Sequence, residues 1–438
     1  MAASADIAVN LTSSSVGIIS VIVFVIAYAF VMAEEVTHLR KSKPVILSAG
    51  IIWALIAFHF MGDKEMAHMV EASLRHGVLE YAELFLFLLV AMTYINSMDN
   101  RDVFNALRSW LTRKGFTYKQ LFVITGVIAF FLSPIADNLT TALVLCAVLL
   151  AVGKDNNKFI SIGCINIVIA ANAGGAFSPF GDITTLMVWQ KGLLNFFDFF
   201  AIFIPSVVNY VVPAFIMYFF VENGTPKSSG ETVVMRRGAK RIIFLFILTI
   251  VTAVCFHNFL TLPPMLGMMV GFGYLSIFGY YLKMTHGNSE IDSLEKFDVL
   301  RKVSKAEWDT LLFFFGVILS VGGLGFIGYL SMINNFMYVE LGATWANVLV
   351  GILSAIVDNI PVMFAVLTMN PPMEESQWLL VTLTAGVGGS MLSVGSAAGV
   401  ALMGQARGKY TFFGHLKWTP VIALGYAASI YTHILINF

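Results

Sequence analysis

Charged residues are scarce in this chain of 438 residues. Asp, Glu, Lys and Arg together make up 12% of the sequence, against 58% apolar residues, and the mean hydropathy is +0.82. A soluble domain carries about 25% charged residues. The composition therefore excludes an ordinary soluble protein and indicates a multi-pass membrane protein surrounded by the lipid bilayer. The formal net charge is zero, which argues against a nucleic-acid partner.

Cysteine is also scarce. The three thiols, at Cys146, Cys164 and Cys255, all stand inside apolar runs. An odd number of Cys residues in such positions fits neither a disulfide framework nor a metal site, so we expect free thiols that pack in the interior. We expect no resident cofactor and no enzymatic activity.

Basic residues are missing from the apolar runs. All 26 Lys and Arg residues stand in loops or at the ends of predicted spans, whereas Asp137, Asp182 and Asp358 interrupt apolar sequence. An ionised side chain within the bilayer is unfavourable unless it faces a partner or a water-filled cavity, and it marks an ion pathway by default. Because the protein offers these carboxylates no buried cation, a transported proton or cation is the natural partner.

Long apolar runs predict about ten transmembrane helices, eight of them continuous. The continuous spans are 16–33, 44–61, 83–98, 196–221, 241–258, 264–283, 308–325 and 418–438. We interpret the polar segment 62–82 as an external amphipathic helix. Two further regions, 159–190 and 376–406, are too long for one simple helix and contain Gly and Pro in their middle. Since interrupted backbone at membrane depth is tolerated where it faces a cavity, we predict two broken helices.

The regions 119–152 and 344–370 each contain a polar cluster between two apolar runs. The first run, 119–132, reaches about 21 Å as a helix, which ends near the middle of a hydrocarbon core about 30 Å thick. Two re-entrant helical hairpins also satisfy the rule that Lys and Arg accumulate in cytoplasmic loops. In that topology the basic residues outside the cytoplasm are only Lys64, Arg75 and Lys191.

The two halves of the chain repeat one pattern. Ser133-x-x-x-Asp137-Asn138 recurs as Ser354-x-x-x-Asp358-Asn359, and Gly174-Gly175 with Gly181-Asp182 recurs as Gly388-Gly389 with Gly395-Ser396. The predicted topology runs the halves in opposite directions, which makes 1–221 and 241–438 inverted repeats joined by a cytoplasmic linker, 222–240. Inverted repeats with paired interruptions point to a transport site near the middle of the membrane.

Oxygen-bearing side chains surround the three Asp residues. Na⁺ favours carboxylate, amide, hydroxyl and backbone carbonyl oxygens, so we expect transported Na⁺ at Asp137, Asp182 and Asp358. The other candidate ligands are Asn138, Thr140, Thr141, Asn172, Thr184, Thr185, Asn359, Ser390, Ser393 and Ser396. Hydroxyls in membrane helices also bond their own backbone or a neighbouring helix, so a structural role for any single one stays open.

Two stretches carry a resemblance to a known family. Ser-Pro-Ile-Ala-Asp-Asn-Leu-Thr-Thr at 133–141 and Asn-Ala-Gly-Gly-Ala-Phe-Ser-Pro-Phe-Gly-Asp-Ile-Thr-Thr at 172–185 resemble the signature of the NhaD-type sodium/proton antiporters of the ion transporter superfamily. The resemblance implies Na⁺(Li⁺)/H⁺ antiport by an elevator-type mechanism, a homodimer, and a place in the bacterial inner membrane. It also implies that ions are bound by Asp137, Asn138, Asn172, Asp182, Thr184, Thr185, Asp358 and Asn359.

The same superfamily supplies two other interpretations, an arsenite or oxyanion exporter and a Na⁺-coupled carboxylate symporter. Three uncompensated Asp residues would repel an anion, which favours a cation, although neutral arsenite escapes this argument. An intramembrane aspartyl protease also uses two Asp residues in the membrane. Such proteases typically carry Gly-x-Gly-Asp, whereas Pro179 here stands two residues before Gly181.

Overall fold

A computed structural model of the protein describes residues 9–153, 156–226, 232–285 and 297–438. Every long regular element within these ranges is a helix and none is a strand, which confirms the predicted all-α fold. Ten helices of the described part are long and apolar enough to cross a membrane. Part of the predicted linker 222–240, from 227 to 231, lies outside the described residues, as do Lys154 and Lys296.

The first helices follow the predicted spans, with one correction. They are α1 (Ser15–Met32), α2 (Glu34–Thr37), α3 (Ser42–His59), α4 (Lys64–Asn100) and α5 (Val103–Arg113). The prediction separated 62–82 from the span 83–98, but α4 is a single helix of 37 residues, about 55 Å long. The prediction was wrong here because the polar segment contains no Pro that would end a helix. The ion pair between Arg75 and Glu71, which stand one helical turn apart, also stabilises the helix.

The middle of the chain contains the first predicted hairpin and the first broken helix. Its helices are α6 (Tyr118–Ala136), α7 (Asn138–Val152), α8 (Asn157–Ala176), α9 (Ile183–Gln190), α10 (Phe203–Tyr218), α11 (Ala239–Leu260), α12 (Pro264–Met284) and α13 (Val299–Val303). A 3₁₀ turn at Asp198–Ile202 leads into α10. The polar tips predicted from the sequence therefore stand where one helix ends and the next begins.

The last part of the chain contains the second predicted hairpin and the second predicted broken helix. It contains α14 (Trp308–Phe326), α15 (Tyr329–Asn334), a π-helical turn (Asn335–Glu340), α16 (Ala343–Ile356), α17 (Asn359–Met369), α18 (Glu375–Gly388), α19 (Ala397–Gln405), α20 (Phe412–Leu416) and α21 (Thr419–Asn437). The interruptions again coincide with the polar and Gly-rich stretches that the sequence pattern singled out.

The chain forms two compact units. The smaller unit takes the described residues of Met1–Phe85, Glu307–Ala346 and Ile360–Met373. Its core lies between α3 and α14, where the Trp53 indole nitrogen donates a 2.8 Å hydrogen bond to the carbonyl of Leu319. Gly316 and Gly323 bring α14 close to α3, because a side chain at either position would meet α3 atoms within 3 Å.

The larger unit takes the described residues of Leu86–Ala306, Asn347–Asn359 and Glu374–Phe438. Its central element is α8, which packs against α6, α7, α10 and α18. In α8, 94% of the most apolar 18-residue window is buried. Because nearly all of this window is buried among neighbouring helices and not exposed to lipid, α8 forms the core of this unit.

The contacts of α8 fix the directions of its neighbours. Tyr118 packs on Phe159 at the start of α6 and α8, with ring centroids 4.6 Å apart, and Gly174 lies against Phe130 towards their ends. These two helices are therefore parallel.

Helix α7 runs in the direction opposite to α6 and α8. Gly153, just after α7, lies beside Ile160 near the start of α8, whereas Asn138 at its beginning bonds Asn172 near the end of α8. Since α7 is antiparallel to α8, it is also antiparallel to α6. Helices α6 and α7 thus form a hairpin whose tip is Asp137.

The two copies of the repeated pattern share local geometry in the larger unit. The Ser133 hydroxyl donates to the carbonyl of Ala171 at 2.6 Å, and the Ser354 hydroxyl donates to that of Ala385 at 2.7 Å. The second half of each broken helix also packs across the repeat, α9 on α18 and α19 on α7 and α8. The opposite orientation of the copies in the membrane stays a prediction.

We expect Gly174→Ala to destabilise the protein strongly. A Cβ at Gly174 would overlap the backbone of Phe130, where no flexible side chain can move aside. Forcing an extra methyl group into a packed core costs about 1–3 kcal/mol. Thermal unfolding of the purified protein in detergent should show a clear loss. Gly273→Ala is the matched control, because a Cβ at Gly273 would meet no atom within 4 Å; similar losses for both variants would contradict the packing described here.

Candidate functional site

Asp137 forms the sharp corner between α6 and α7. Its backbone has φ 61° and ψ 162°, a conformation that is essentially confined to Gly and costs a larger residue about 1–3 kcal/mol. Its carboxylate accepts hydrogen bonds from the backbone N–H of Thr140 at 2.7 Å and from the Thr140 hydroxyl at 2.8 Å. The side chain thereby caps the first turn of α7.

Asp182 has a related place at the start of α9, and it is 4% exposed. Its Oδ1 accepts hydrogen bonds from the backbone N–H and the hydroxyl of Thr184, at 2.9 and 2.8 Å. Its Oδ2 accepts from the amide nitrogens of Asn138 at 2.9 Å and Asn359 at 3.1 Å. One carboxylate therefore joins the residue after Asp137 to the residue after Asp358, the two positions that the repeated pattern matches.

Asn172 links the two interruptions. Its amide nitrogen donates to the hydroxyls of Ser390 at 2.9 Å and Ser396 at 3.0 Å, and its Oδ1 accepts from Asn138 at 3.1 Å. We call the resulting network the polar cluster, and it consists of Asn138, Asn172, Asp182, Thr184, Asn359, Ser390 and Ser396. All of its members belong to the larger unit.

The donors to Asp137 and Asp182 are all neutral groups. They are backbone N–H, hydroxyl and amide groups of Thr140, Thr184, Asn138 and Asn359. Among the described residues, no cationic side chain hydrogen-bonds either carboxylate. A buried carboxylate without a cationic partner attracts a positive charge. The chemistry available at the polar cluster is therefore the binding of a proton or of a hard cation with oxygen ligands.

Comparison with known proteins agrees with this chemistry and identifies the family. A family model described as citrate transporter matches residues 7–386. The Na⁺/H⁺ antiporter NhaD of Alkalimonas amylolytica is 56% identical over 98% of this chain and 92% of its own length. The proteins of the same name from Vibrio cholerae and Vibrio parahaemolyticus are 56% and 60% identical, over 98% and 89% of this chain and 94% and 98% of theirs. The chain belongs to the NhaD family.

Membership of the NhaD family confirms the resemblance that the two motifs carried. These relatives are named as transporters. With ten apolar helices in its described part, the chain is an integral multi-pass membrane protein in contact with lipid.

Not every predicted site residue of this NhaD-family chain joins the polar cluster through a hydrogen bond. Thr141 and Ser393 are buried, and within the described residues their hydroxyls have no hydrogen-bond partner. Thr185 donates instead to the carbonyl of Ala176, at 3.4 Å. Asp358 is half-buried in the corner between the end of α16 and the start of α17, and its neighbour Asn359 donates to Asp182.

His415 lies in α20, outside the repeated motifs and the predicted ion-binding residues. The imidazole is fully buried, its Nε2 lies 2.8 Å from the carbonyl of Ser390, and its Nδ1 lies 2.7 Å from the Tyr410 hydroxyl. Burial lowers the pKa of His415 to about 4, so the ring is neutral at physiological pH. The signal in the sequence was the apolar and aromatic setting of His415 in Phe-Phe-Gly-His-Leu, which is unusual for a solvated loop.

Proposed function

We propose that this protein is a secondary active antiporter that exports Na⁺, and Li⁺, in exchange for protons by alternating access. The observation that carries the proposal is the buried carboxylate of Asp182, whose donors are the neutral side chains of Asn138, Thr184 and Asn359. The names of the NhaD relatives support the same activity. A carboxylate that binds either a proton or Na⁺, but not both, couples the two fluxes.

The ion site that we propose combines the members of the polar cluster other than Ser390 with neighbouring predicted residues. It comprises Asp137, Asn138, Thr141, Asn172, Asp182, Thr184, Thr185, Asp358, Asn359, Ser393 and Ser396, with Na⁺ at the three Asp carboxylates. Each Asn amide carries an oxygen and a nitrogen on one rotatable bond. Rotation of the Asn138 and Asn359 amides would turn carbonyl oxygens towards Na⁺ where their N–H groups now face Asp182. The same side chains can thus serve the empty and the loaded site.

Other parts of the proposal rest on the family rather than on geometry. We propose an elevator-type movement, a homodimer, and a location in the bacterial inner membrane. We also propose that 1–221 and 241–438 are inverted repeats joined by a cytoplasmic linker at 222–240. The paired hydrogen bonds of Ser133 and Ser354 support the repeat, since duplicated segments keep local contacts of this kind.

Citrate transport is the second candidate, because the matching family model is described as a citrate transporter. A site for a citrate anion needs a cation or several free donors facing the substrate. Here the donors of Asn138, Thr184 and Asn359 are directed at the Asp182 carboxylate. Asp182 would repel a carboxylate ligand, so the polar cluster fits a cation better.

Everted membrane vesicles with an acid interior test the proposed function. We expect addition of Na⁺ or Li⁺ to dissipate the proton gradient, reported by a pH-sensitive dye, between pH 6.5 and 9. Vesicles without the protein are the control, and K⁺, citrate and arsenite are added in parallel. A gradient that no cation dissipates would contradict antiport, and uptake of labelled citrate by the same vesicles would favour the second candidate.

A further inference from the structure

The two helix breaks differ in which side chain donates a hydrogen bond to the carbonyl that the break leaves free. In the first repeat, the Thr185 hydroxyl donates to the carbonyl of Ala176, the residue that follows Gly174-Gly175. A carbonyl freed by a helix break needs a donor of this kind, since an unsatisfied buried polar group costs about 1–3 kcal/mol. The first break thus supplies its own donor from the helix that follows it.

The second break cannot use the same donor. Gly399 stands at the position that matches Thr185, three residues after the helix cap at Ser396 as Thr185 is three after Asp182. A Cβ at Gly399 would overlap the backbone carbonyl of Ser393, so this position has no room for a threonine side chain. The carbonyl that matches that of Ala176 belongs to Ser390, which follows Gly388-Gly389.

His415 supplies the missing donor. A carbonyl oxygen only accepts hydrogen bonds, so the Nε2 atom that lies 2.8 Å from the carbonyl of Ser390 carries the proton. The Tyr410 hydroxyl, 2.7 Å from Nδ1, is placed to donate to the other ring nitrogen. Thr419 acts on the next residue, because its hydroxyl donates to the carbonyl of Met391 at 2.7 Å. The carbonyls of Ser390 and Met391 in the second break are therefore bonded by side chains that follow α19.

The polar cluster is connected to the hydrogen bond between His415 and Ser390 through a short series of further hydrogen bonds. The Ser390 hydroxyl accepts from Asn172, Asn172 accepts from Asn138, and Asn138 donates to Asp182. A shift of the Ser390 backbone would therefore move the amide of Asn172. Removing a group that orients the ligand of a metal ion lowers the affinity for that ion about 10–100-fold, although the group does not contact the ion.

We propose that His415 is a positioning residue that takes the place of the absent threonine in the second break, and that it sets the affinity for Na⁺ through Ser390 and Asn172. This proposal rests on the proposed antiport. It assigns to α20 a part in ion binding, although no residue of α20 belongs to the repeated motifs.

The test compares Na⁺-dependent exchange in His415→Ala, His415→Gln and the wild type. His415→Ala leaves the Ser390 carbonyl without its donor, and we expect the apparent KM for Na⁺ to rise about tenfold with the maximal rate little changed. His415→Gln places an amide N–H near the same carbonyl, and we expect it to restore most of the wild-type KM. A residue with a purely structural role would lower the amount of folded protein without this separation of KM from maximal rate.

His433→Ala is the matched control. His433 is also buried and its Nε2 lies 3.0 Å from a backbone carbonyl, that of Ser376, at the opposite end of α18 from the break. We expect this variant to lose stability while it keeps the wild-type KM. If His415→Ala does not fold, Thr419→Val removes the neighbouring hydrogen bond to the Met391 carbonyl, with an expected rise in KM of about tenfold or less.

The outcomes separate the two proposals. An unchanged KM in folded His415→Ala or Thr419→Val, next to an active wild type, overturns the positioning role alone. An equal rise in KM for His433→Ala also overturns it, because the effect would then follow from lost stability. A wild-type protein that exchanges no Na⁺ overturns the antiport and, with it, this assignment.

Discussion

Asp182→Asn is expected to abolish Na⁺/H⁺ exchange and to leave the fold intact. Asn is as good a helix cap as Asp, so the first turn of α9 keeps its capping side chain. The negative charge is lost at the Asp182 carboxylate, which accepts from both Asn138 and Asn359. Asn cannot supply the charge that would pair with Na⁺. Losing one partner of a buried charge pair costs about 3 kcal/mol, which corresponds to a rate lower by about a hundredfold or more. Exchange in everted vesicles and thermal unfolding of the purified protein measure the two effects.

Asp198→Asn is the control for this variant. Asp198 also bonds the backbone locally, accepting from the N–H of Asn195 at 2.6 Å, but it stands in the 3₁₀ turn before α10 and outside the polar cluster. We expect exchange at the wild-type rate. Substantial Na⁺-dependent exchange in Asp182→Asn, or a comparable loss in Asp198→Asn, would exclude the role that we give to Asp182.

Asp137→Asn is expected to abolish exchange as well, again with little loss of stability. The carboxylate of Asp137 caps α7 through Thr140, and an Asn side chain can cap in the same way. The substitution therefore separates the charge of Asp137 from its structural role. Retained Na⁺-dependent proton movement would mean that Asp137 is not an ion ligand and serves only the corner of the hairpin.

Asp137→Gly separates the charge from the strained backbone. Gly adopts φ 61° without the penalty that Asp pays, and replacing a cap by Gly costs only a few tenths of a kcal/mol. We expect this variant to be at least as stable as the wild type in a thermal unfolding experiment, yet inactive in exchange. A clear loss of stability would indicate that the Asp137 carboxylate holds the corner more strongly than its two bonds to Thr140 imply.

The interruptions of the helices could be predicted from the sequence because their signals are local. Gly174-Gly175 and Pro179 end one helix, and the polar tips at Asp137 and Asp358 separate the arms of each predicted hairpin. The boundaries in the structure fall within a few residues of these signals. The length of α4 was missed because polarity, rather than any helix-breaking residue, was taken to end the span at 83.

The organisation of the polar cluster could not be predicted, because it depends on contacts between distant parts of the chain. The sequence presented Asp137, Asp182 and Asp358 as three similar carboxylates, whereas the bonds from Asn138 and Asn359 distinguish Asp182 as the shared acceptor. The contact of His415 with Ser390 is likewise invisible in the sequence, since 25 residues separate the two. In the sequence, Gly399 at the position that matches Thr185 indicates that the second break needs a donor from elsewhere in the chain.

The bond from Asn359 to Asp182 also has a consequence for how the protein is made. The two residues are separated by 177 positions, so Asp182 leaves the ribosome long before its second amide partner. At about 5–20 residues per second, the delay is roughly 9–35 s. During that time the first half of the chain contains a membrane carboxylate whose contacts come from Asn138 and Thr184 alone. Insertion of the second half completes the site, and a nascent chain stalled before residue 359 would carry an unfinished one.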